Sequence, residues 1–180
     1  MSWFLQEAPG VNQQMLEDAK AHQLTLTKPP GALGALEDVA LKMASLQGVV
    51  KPELERIYIS IFAGDHGIAA QGVSAFPQAV TTEMVKNFAT GGAAISVLAR
   101  RLNAKFEVVN LGTLFEVDHH AQIIDARIAP GTADFSVTSA MNKEQLEVAL
   151  AQGQSAAQRA KENNSQLFIG GEMGIGNTSS

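Results

Sequence analysis

The sequence predicts an α/β protein, a largely parallel β-sheet with flanking helices. Three observations carry that prediction. Short runs rich in β-branched and aromatic residues recur along the chain and read as buried strands. Between them lie segments with apolar residues three and four apart, the spacing of amphipathic helices. Alternation of the two favours parallel strands joined by helical crossovers.

The elements follow in order. Residues 11–23 place Val11, Met15, Leu16 and Ala19 at helical spacing in a polar segment, which predicts a surface helix with His22 exposed. Lys28-Pro29-Pro30-Gly31 stops it, because two prolines forbid helix and hold Lys28 extended. From Ala32 to Gln47, a stripe of Leu33, Leu36, Ala40, Met43 and Leu46 predicts an amphipathic helix ended by Gly48. Arg56–Ala63 reads as a strand, and a polar, glycine-dense loop carries the chain to Pro77. Pro77 suits the first position of a helix reaching Ala89. Thr90-Gly91-Gly92 breaks that helix, and Ala93–Leu102 forms another. Lys105–Leu111 is the next strand. Residues 114–141 carry little pattern beyond a short strand in Gln122–Ile128. Asn142 with Gln145 resembles a capping pair and opens a helix to Glu162. Gln166–Gly170 is a further strand, followed by Gly171–Ser180 as a glycine-rich loop. Two helices precede any strand, so residues 1–50 are expected to form a separate helical segment and residues 51–180 an α/β domain.

Composition narrows the function. Hydrophobic residues make up 46% of the 180 and charged residues 17%, enough for a real core and too apolar for disorder. Thirteen Lys and Arg against eighteen Asp and Glu give a net charge of −5, which argues against nucleic-acid binding by bulk charge. Without cysteine there is no disulfide, thiolate metal site or Cys nucleophile. The first seven residues lack a basic leader, and no apolar run approaches the ~20 residues of a membrane helix. The expectation is a cytoplasmic protein without membrane contact.

In a parallel sheet, ligands bind beyond the carboxyl ends of the strands. Three strand ends carry unusual residues: Gly64-Asp65-His66-Gly67, Asn110-Leu111-Gly112-Thr113, and Gly171–Asn177. All three should share one edge. In the last, backbone N–H groups before a helix would surround a small anion, although the spacing matches neither a P-loop nor G-x-G-x-x-G. A plain tight turn is the competing reading. Glu172 would repel a phosphate, so it is expected to bond a hydroxyl or orient the loop. Asp65 and His66 read as an acid–base pair, as metal ligands, or as a structural cap on a strand end. His119-His120 raises the same metal question, although zinc catalysis needs three converging ligands. Phe76, Met84 and Phe88 fit ordinary core packing or an apolar slot for a flat ring.

Three segments in register resemble one family. They are Lys28-Pro29-Pro30-Gly31-Ala32-Leu33-Gly34; Gly64-Asp65-His66-Gly67-Ile68 followed by Gly72-Val73-Ser74-Ala75-Phe76-Pro77-Gln78; and Gly170-Gly171-Glu172-Met173-Gly174-Ile175-Gly176-Asn177-Thr178. Their order and spacing resemble the nicotinate-nucleotide–dimethylbenzimidazole phosphoribosyltransferases. The resemblance implies a Rossmann-like fold with a small helical domain, a homodimer, and no metal or organic cofactor. It implies transfer of phosphoribose from nicotinate mononucleotide to 5,6-dimethylbenzimidazole or a related base, with inversion at the anomeric carbon, in cobalamin biosynthesis. By position, Glu172, Gly174, Gly176, Asn177 and Thr178 correspond to the mononucleotide loop. Phe76, Met84 and Met173 correspond to part of the benzimidazole pocket, with Asp65 and His66 at the edge of the site.

The family's general base is a glutamate from a later region, so no catalytic base is assigned within these 180 residues. The expectation is a truncated chain, inactive or nearly so alone. The competing expectations are a benzimidazole- or nucleotide-binding module without turnover, and a metal hydrolase built on Asp65, His66, His119 and His120.

Overall fold

A computed structural model describes residues 3–180. Met1 and Ser2, the start of the segment read as lacking a basic leader, lie outside the described residues. The chain divides into two compact units, Met1–Leu54 and Glu55–Ser180.

The first unit is a helix pair. Helix α1 (Gln13–Gln23) opens on Asn12, whose side chain accepts the Met15 N–H at 3.0 Å. Helix α2 (Ala35–Gln47) ends on Gly48 in the left-handed region. The helices pack together with Ala19, Ala44 and Ser45 buried, so small residues allow the close approach. The expected apolar stripe of α2 is not the buried one, because Leu36 is 67% exposed and Leu33 and Leu46 are exposed as well. His22 is half-buried rather than exposed. Lys28 pairs with Glu37 at 2.8 Å, and its hydrogen bond holds the Glu37 carboxyl below the usual range.

The second unit is a four-stranded, wholly parallel sheet in the order β3-β2-β1-β4. The strands are β1 (Ile57–Gly64), β2 (Lys105–Gly112), β3 (Ile123–Asp125) and β4 (Leu167–Met173). Side chains alternate between faces along each strand. One face sends Ile57, Ile59, Ile61 and Ala63 of β1 and Val108 of β2 into the main core. Val85 and Phe88 of α3 (Ala79–Thr90) and Ala99 of α4 (Ala94–Arg101) complete it.

The opposite face carries Tyr58, Ser60 and Glu107, and α5 (Lys143–Glu162) is tied to it by charge. Arg159 donates Nε to Glu107 Oε2 at 2.9 Å and Nη2 to Oε1 at 2.8 Å. Tyr58 and Ser60 hydroxyls donate to the same carboxylate at 2.7 and 2.6 Å. Burial pushes Glu107 up, but these bonds outweigh it and its pKa is lowered. Burial, reinforced by the Glu107 hydrogen bond, pushes the Tyr58 phenol up to about 12.

Several boundaries differ from expectation. Strand β4 runs on through Gly171, Glu172 and Met173, because these continue the pairing with Ile61, Phe62 and Ala63. Helix α3 begins at Ala79, two residues after Pro77, since the Val80 N–H first closes a tight turn onto the Pro77 carbonyl at 3.0 Å. A 3-10 helix, Gly67–Gln71, occupies part of the expected loop. Strand β3 shrinks to three residues. After β4 the chain enters a 3-10 turn, Asn177–Ser179.

Candidate functional site at the carboxyl edge of the sheet

The three strand ends meet, as a parallel sheet requires. A register shift after Ala63 brings Gly64 opposite Gly112, so the ends of β1 and β2 splay by one residue. Asp65 knots the edge together. Its N–H donates to the Gly112 carbonyl at 2.9 Å and its carbonyl accepts the Thr132 N–H at 2.9 Å. Its Oδ2 accepts the Leu114 N–H at 2.8 Å. Gly174 packs directly under the Gly64 carbonyl, where any side chain would collide with backbone. The close approach of two strand ends explains that glycine better than loop flexibility does.

A cavity of about 260 Å³ opens at this edge on the α5 side of the sheet. Its walls are largely apolar: Phe62, Leu111, Ile128, Ala129, Met141 and Ala149. Its polar rim carries Asp65, His66, Thr132, Gln145, Glu172 and Asn177. Asp65 is 1% exposed, and its Oδ1 is a buried acceptor without a hydrogen-bond partner at the margin of this cavity. No Lys or Arg lines the cavity, while two carboxylates do. The arrangement suits an uncharged or cationic donor with flat apolar faces and leaves a phosphate to be held elsewhere.

Of the residues expected at the site, the structure brings Asp65, His66, Glu172 and Asn177 to the cavity. Asn177 bridges His66 and Glu172, with its Oδ1 bonded to His66 Nε2 and its Nδ2 to Glu172 Oε2. Met84 and Met173 pack against the core on the opposite face, and Phe76 is 66% exposed ahead of α3. Strand alternation explains the division: Glu172 and Met173 are neighbours on β4 and must point to opposite faces. Gly174, Gly176 and Thr178 lie in the loop beyond the cavity wall.

The amide cradle expected in that loop is partly closed. The Ile175 N–H donates to Thr81 Oγ1 at 3.1 Å, and the Asn177 N–H donates to the Gly174 carbonyl at 3.2 Å. The Ser179 N–H bonds the Gly176 carbonyl at 3.0 Å.

His119 and His120 do not join Asp65 and His66. Residues 114–122 return the chain to the amino edge of the sheet so that β3 can run parallel to β2. His120 lines a different cavity there, beside Lys105 and Phe106. Among the described residues, no group of three or more His, Asp or Glu is placed to hold a metal ion. The metal-hydrolase expectation therefore loses its ligand set.

Sequence patterns missed the walls contributed by residues 128–132, Met141, Gln145 and Ala149, which only tertiary packing assembles. One signal was available for the Glu107 anchor: an acid inside the apolar run Phe106–Val109 needs a buried partner.

A family model described as Phosphoribosyltransferase matches residues 8–180. A nicotinate-nucleotide–dimethylbenzimidazole phosphoribosyltransferase from Pseudomonas aeruginosa LESB58 is 52% identical over 178 residues, covering 99% of this chain. The chain belongs to this phosphoribosyltransferase family. The enzyme of the same name from Pseudomonas fluorescens SBW25 is 52% identical over 177 residues. Two crystal structures from Thermus thermophilus superpose at 44% identity with TM-scores of 0.88 and 0.89, and cover 92% and 93% of this chain. One is of CobT; the other is of a nicotinate-nucleotide–dimethylbenzimidazole phosphoribosyltransferase. The chain spans about half the length of these family members, 51% for the P. aeruginosa enzyme and 50% for CobT. The family fold is the parallel sheet with flanking helices described above. Among the described residues no helix is long and apolar enough to cross a membrane.

Proposed function

We propose that this chain carries part of the substrate cradle for phosphoribosyl transfer from nicotinate mononucleotide to 5,6-dimethylbenzimidazole or a related base. The products are α-ribazole 5′-phosphate and nicotinate. The observation that carries the reading is the meeting of Asp65, His66, Glu172 and Asn177 around one cavity, in a chain whose relatives bear that enzyme name.

The chemistry asks for little. The ribose C1′–N bond breaks with its electron pair going to the pyridinium nitrogen, so nicotinate leaves without a general acid. A benzimidazole nitrogen lone pair forms the new bond from the opposite face, which inverts the anomeric centre. The benzimidazole N–H proton must then pass to a base. Asp65 and Glu172 are the carboxylates lining the cavity, and neither is assigned that role. The mononucleotide is read onto Glu172, Gly174, Gly176, Asn177 and Thr178. The base is read onto the apolar residues Phe76, Met84 and Met173, which lie outside the cavity lined by Asp65 and His66 and make this the less supported half of the reading. No metal or organic cofactor is invoked.

The division read from the sequence, a helical segment over 1–50 and a substrate-binding α/β domain over 51–180, belongs to the same reading. So do a homodimer and a cytoplasmic location.

Calorimetric titration with nicotinate mononucleotide and with 5,6-dimethylbenzimidazole tests the cradle. Saturable binding of at least one is expected, and the absence of heat with both refutes the reading. Incubation with both substrates, followed by chromatography for α-ribazole phosphate, separates turnover from binding alone.

A further inference from the structure

His66 has a side-chain role that the proposed chemistry leaves unused. Its backbone is pinned on both sides: the Gly67 N–H donates to the Thr132 carbonyl at 3.0 Å, and Gln78 Nε2 donates to the His66 carbonyl at 3.1 Å. The ring is thereby aimed at the loop after β4. There its Nε2 bonds Asn177 Oδ1, and its Nδ1 lies 3.0 Å from Ser180 Oγ.

The chemistry of the carboxylate and the amide orders the bonds from Glu172 to His66. A carboxylate only accepts, so the Asn177 atom facing Glu172 must be the NH2 group. That leaves the Asn177 oxygen toward His66, which must therefore donate from Nε2–H. In the neutral ring Nδ1 is then the acceptor, and the single proton of the Ser180 hydroxyl is shared between Nδ1 at 3.0 Å and the Gly176 carbonyl at 3.1 Å. Reversing the amide would set its oxygen against the Glu172 carboxylate.

We propose that His66 is a positioning residue: it fixes the Asn177 amide, and through it the Glu172 carboxylate, so that one Glu172 oxygen is committed and the other faces the ligand. Glu172 sits at the exposed end of β4, and the Asn177 amide is the group that orients its carboxylate there. Without the histidine, the amide is free to turn and the carboxylate to sample other rotamers. The ligand group that gains is a hydroxyl or N–H donor, as the acceptor-rich rim requires. The ligand half of this inference rests on the function proposed above; the orientation half does not.

Nitrogen-15 correlation spectra of the imidazole at about pH 8, above the ordinary histidine range, read the tautomer directly. The expected result is Nε2–H, with the Asn177 side-chain amide shifted in His66→Ala. A Nδ1–H ring, or an Asn177 amide unmoved by the substitution, overturns the proposal whether or not any ligand binds.

Binding is then compared across three variants by calorimetry with nicotinate mononucleotide. His66→Gln places a donor near the position of Nε2 and is expected to bind within about threefold of the native chain. His66→Asn reaches only the position of Nδ1, and it and His66→Ala are expected to bind about tenfold more weakly, the equivalent of one net hydrogen bond. Equal binding by the Asn and Gln variants overturns the proposal. A native chain that binds nothing refutes the function above, and the tautomer still decides the orientation. Should His66→Ala fold poorly, the Gln and Asn pair carries the comparison alone.

Discussion

Replacing Arg159 by leucine isolates the anchor that ties α5 to the sheet. The change removes two charge-assisted hydrogen bonds, of 2.9 and 2.8 Å, from Glu107. The Glu107 side chain is only 8% exposed, so water cannot replace them. Stranding one member of a buried pair costs about 3–5 kcal/mol. The Tyr58 and Ser60 hydroxyls still donate, which places the loss near the lower end, about 3 kcal/mol at pH 7. For a chain of this size that corresponds to a fall of roughly 6–12 °C in midpoint. The sign with pH reverses between the two proteins. In the native chain Glu107 has a lowered pKa, so its contribution is full above its ordinary value of 4.5 and lost as pH falls through the folded value. In the variant burial is left opposed only by neutral donors, the folded pKa rises, and the destabilisation shrinks as pH falls. Between pH 7 and 5 the deficit should shrink by about 1 kcal/mol or more. Urea unfolding reads this cleanly, because the single tyrosine, Tyr58, lies in the second unit and the single tryptophan, Trp3, in the first. Tyrosine emission should report the loss in the second unit. A deficit below about 1 kcal/mol at pH 7, or one as large at pH 5, would refute the reasoning.

Four further outcomes are expected. Thr81→Val leaves the Ile175 N–H without its acceptor and should cost about 1–3 kcal/mol by urea unfolding, while Thr81→Ser keeps most of the stability. Asn142→Ala removes the capping box of α5 and should cost about 1 kcal/mol, with faster amide exchange confined to its first turn. Gly131→Ala forces a side chain onto a backbone with φ of +103° against the Asp65 carbonyl; a loss of about 2 kcal/mol or more is expected, and thermal melting checks it. In an ultraviolet titration the Tyr58 phenol should ionise near 12, and an ordinary value near 10 would remove the buried network as its cause.

How far residues alone foretold this structure depends on the range of the forces involved. Strand β1 was recognisable because Ile57–Phe62 is β-branched or aromatic at every position but Ser60, a run that suits a sheet covered on both faces. The α5 start was recognisable because a capping box is satisfied within four residues. Glycine clusters marked three strand ends, and parallel geometry alone put them on one edge. The misreadings came from non-local packing. Leu36 and Leu46 have helical spacing with Met43, yet small residues took the buried face of α2. The far wall of the cavity comes from residues between 128 and 149, where the one recognisable pattern, the Asn142–Gln145 capping box, marks a helix start and not a wall, since an apolar side chain becomes a wall only when something stands opposite it.

The position of β1 at the centre of the sheet also sets an order of events. It pairs with β2 on one side, but its other edge waits for β4, as Ile57 meets Leu167. At ~5–20 residues per second, synthesis leaves that edge open for on the order of ten seconds after β1 emerges. Closing so long a loop adds to the delay and holds an apolar strand edge unpaired meanwhile. Glu172 and Asn177 arrive with β4 and its loop, so the cavity exists only once β4 has paired with β1. A molecule that fits it should therefore trap the paired β1–β4 arrangement, raising stability and refolding yield together.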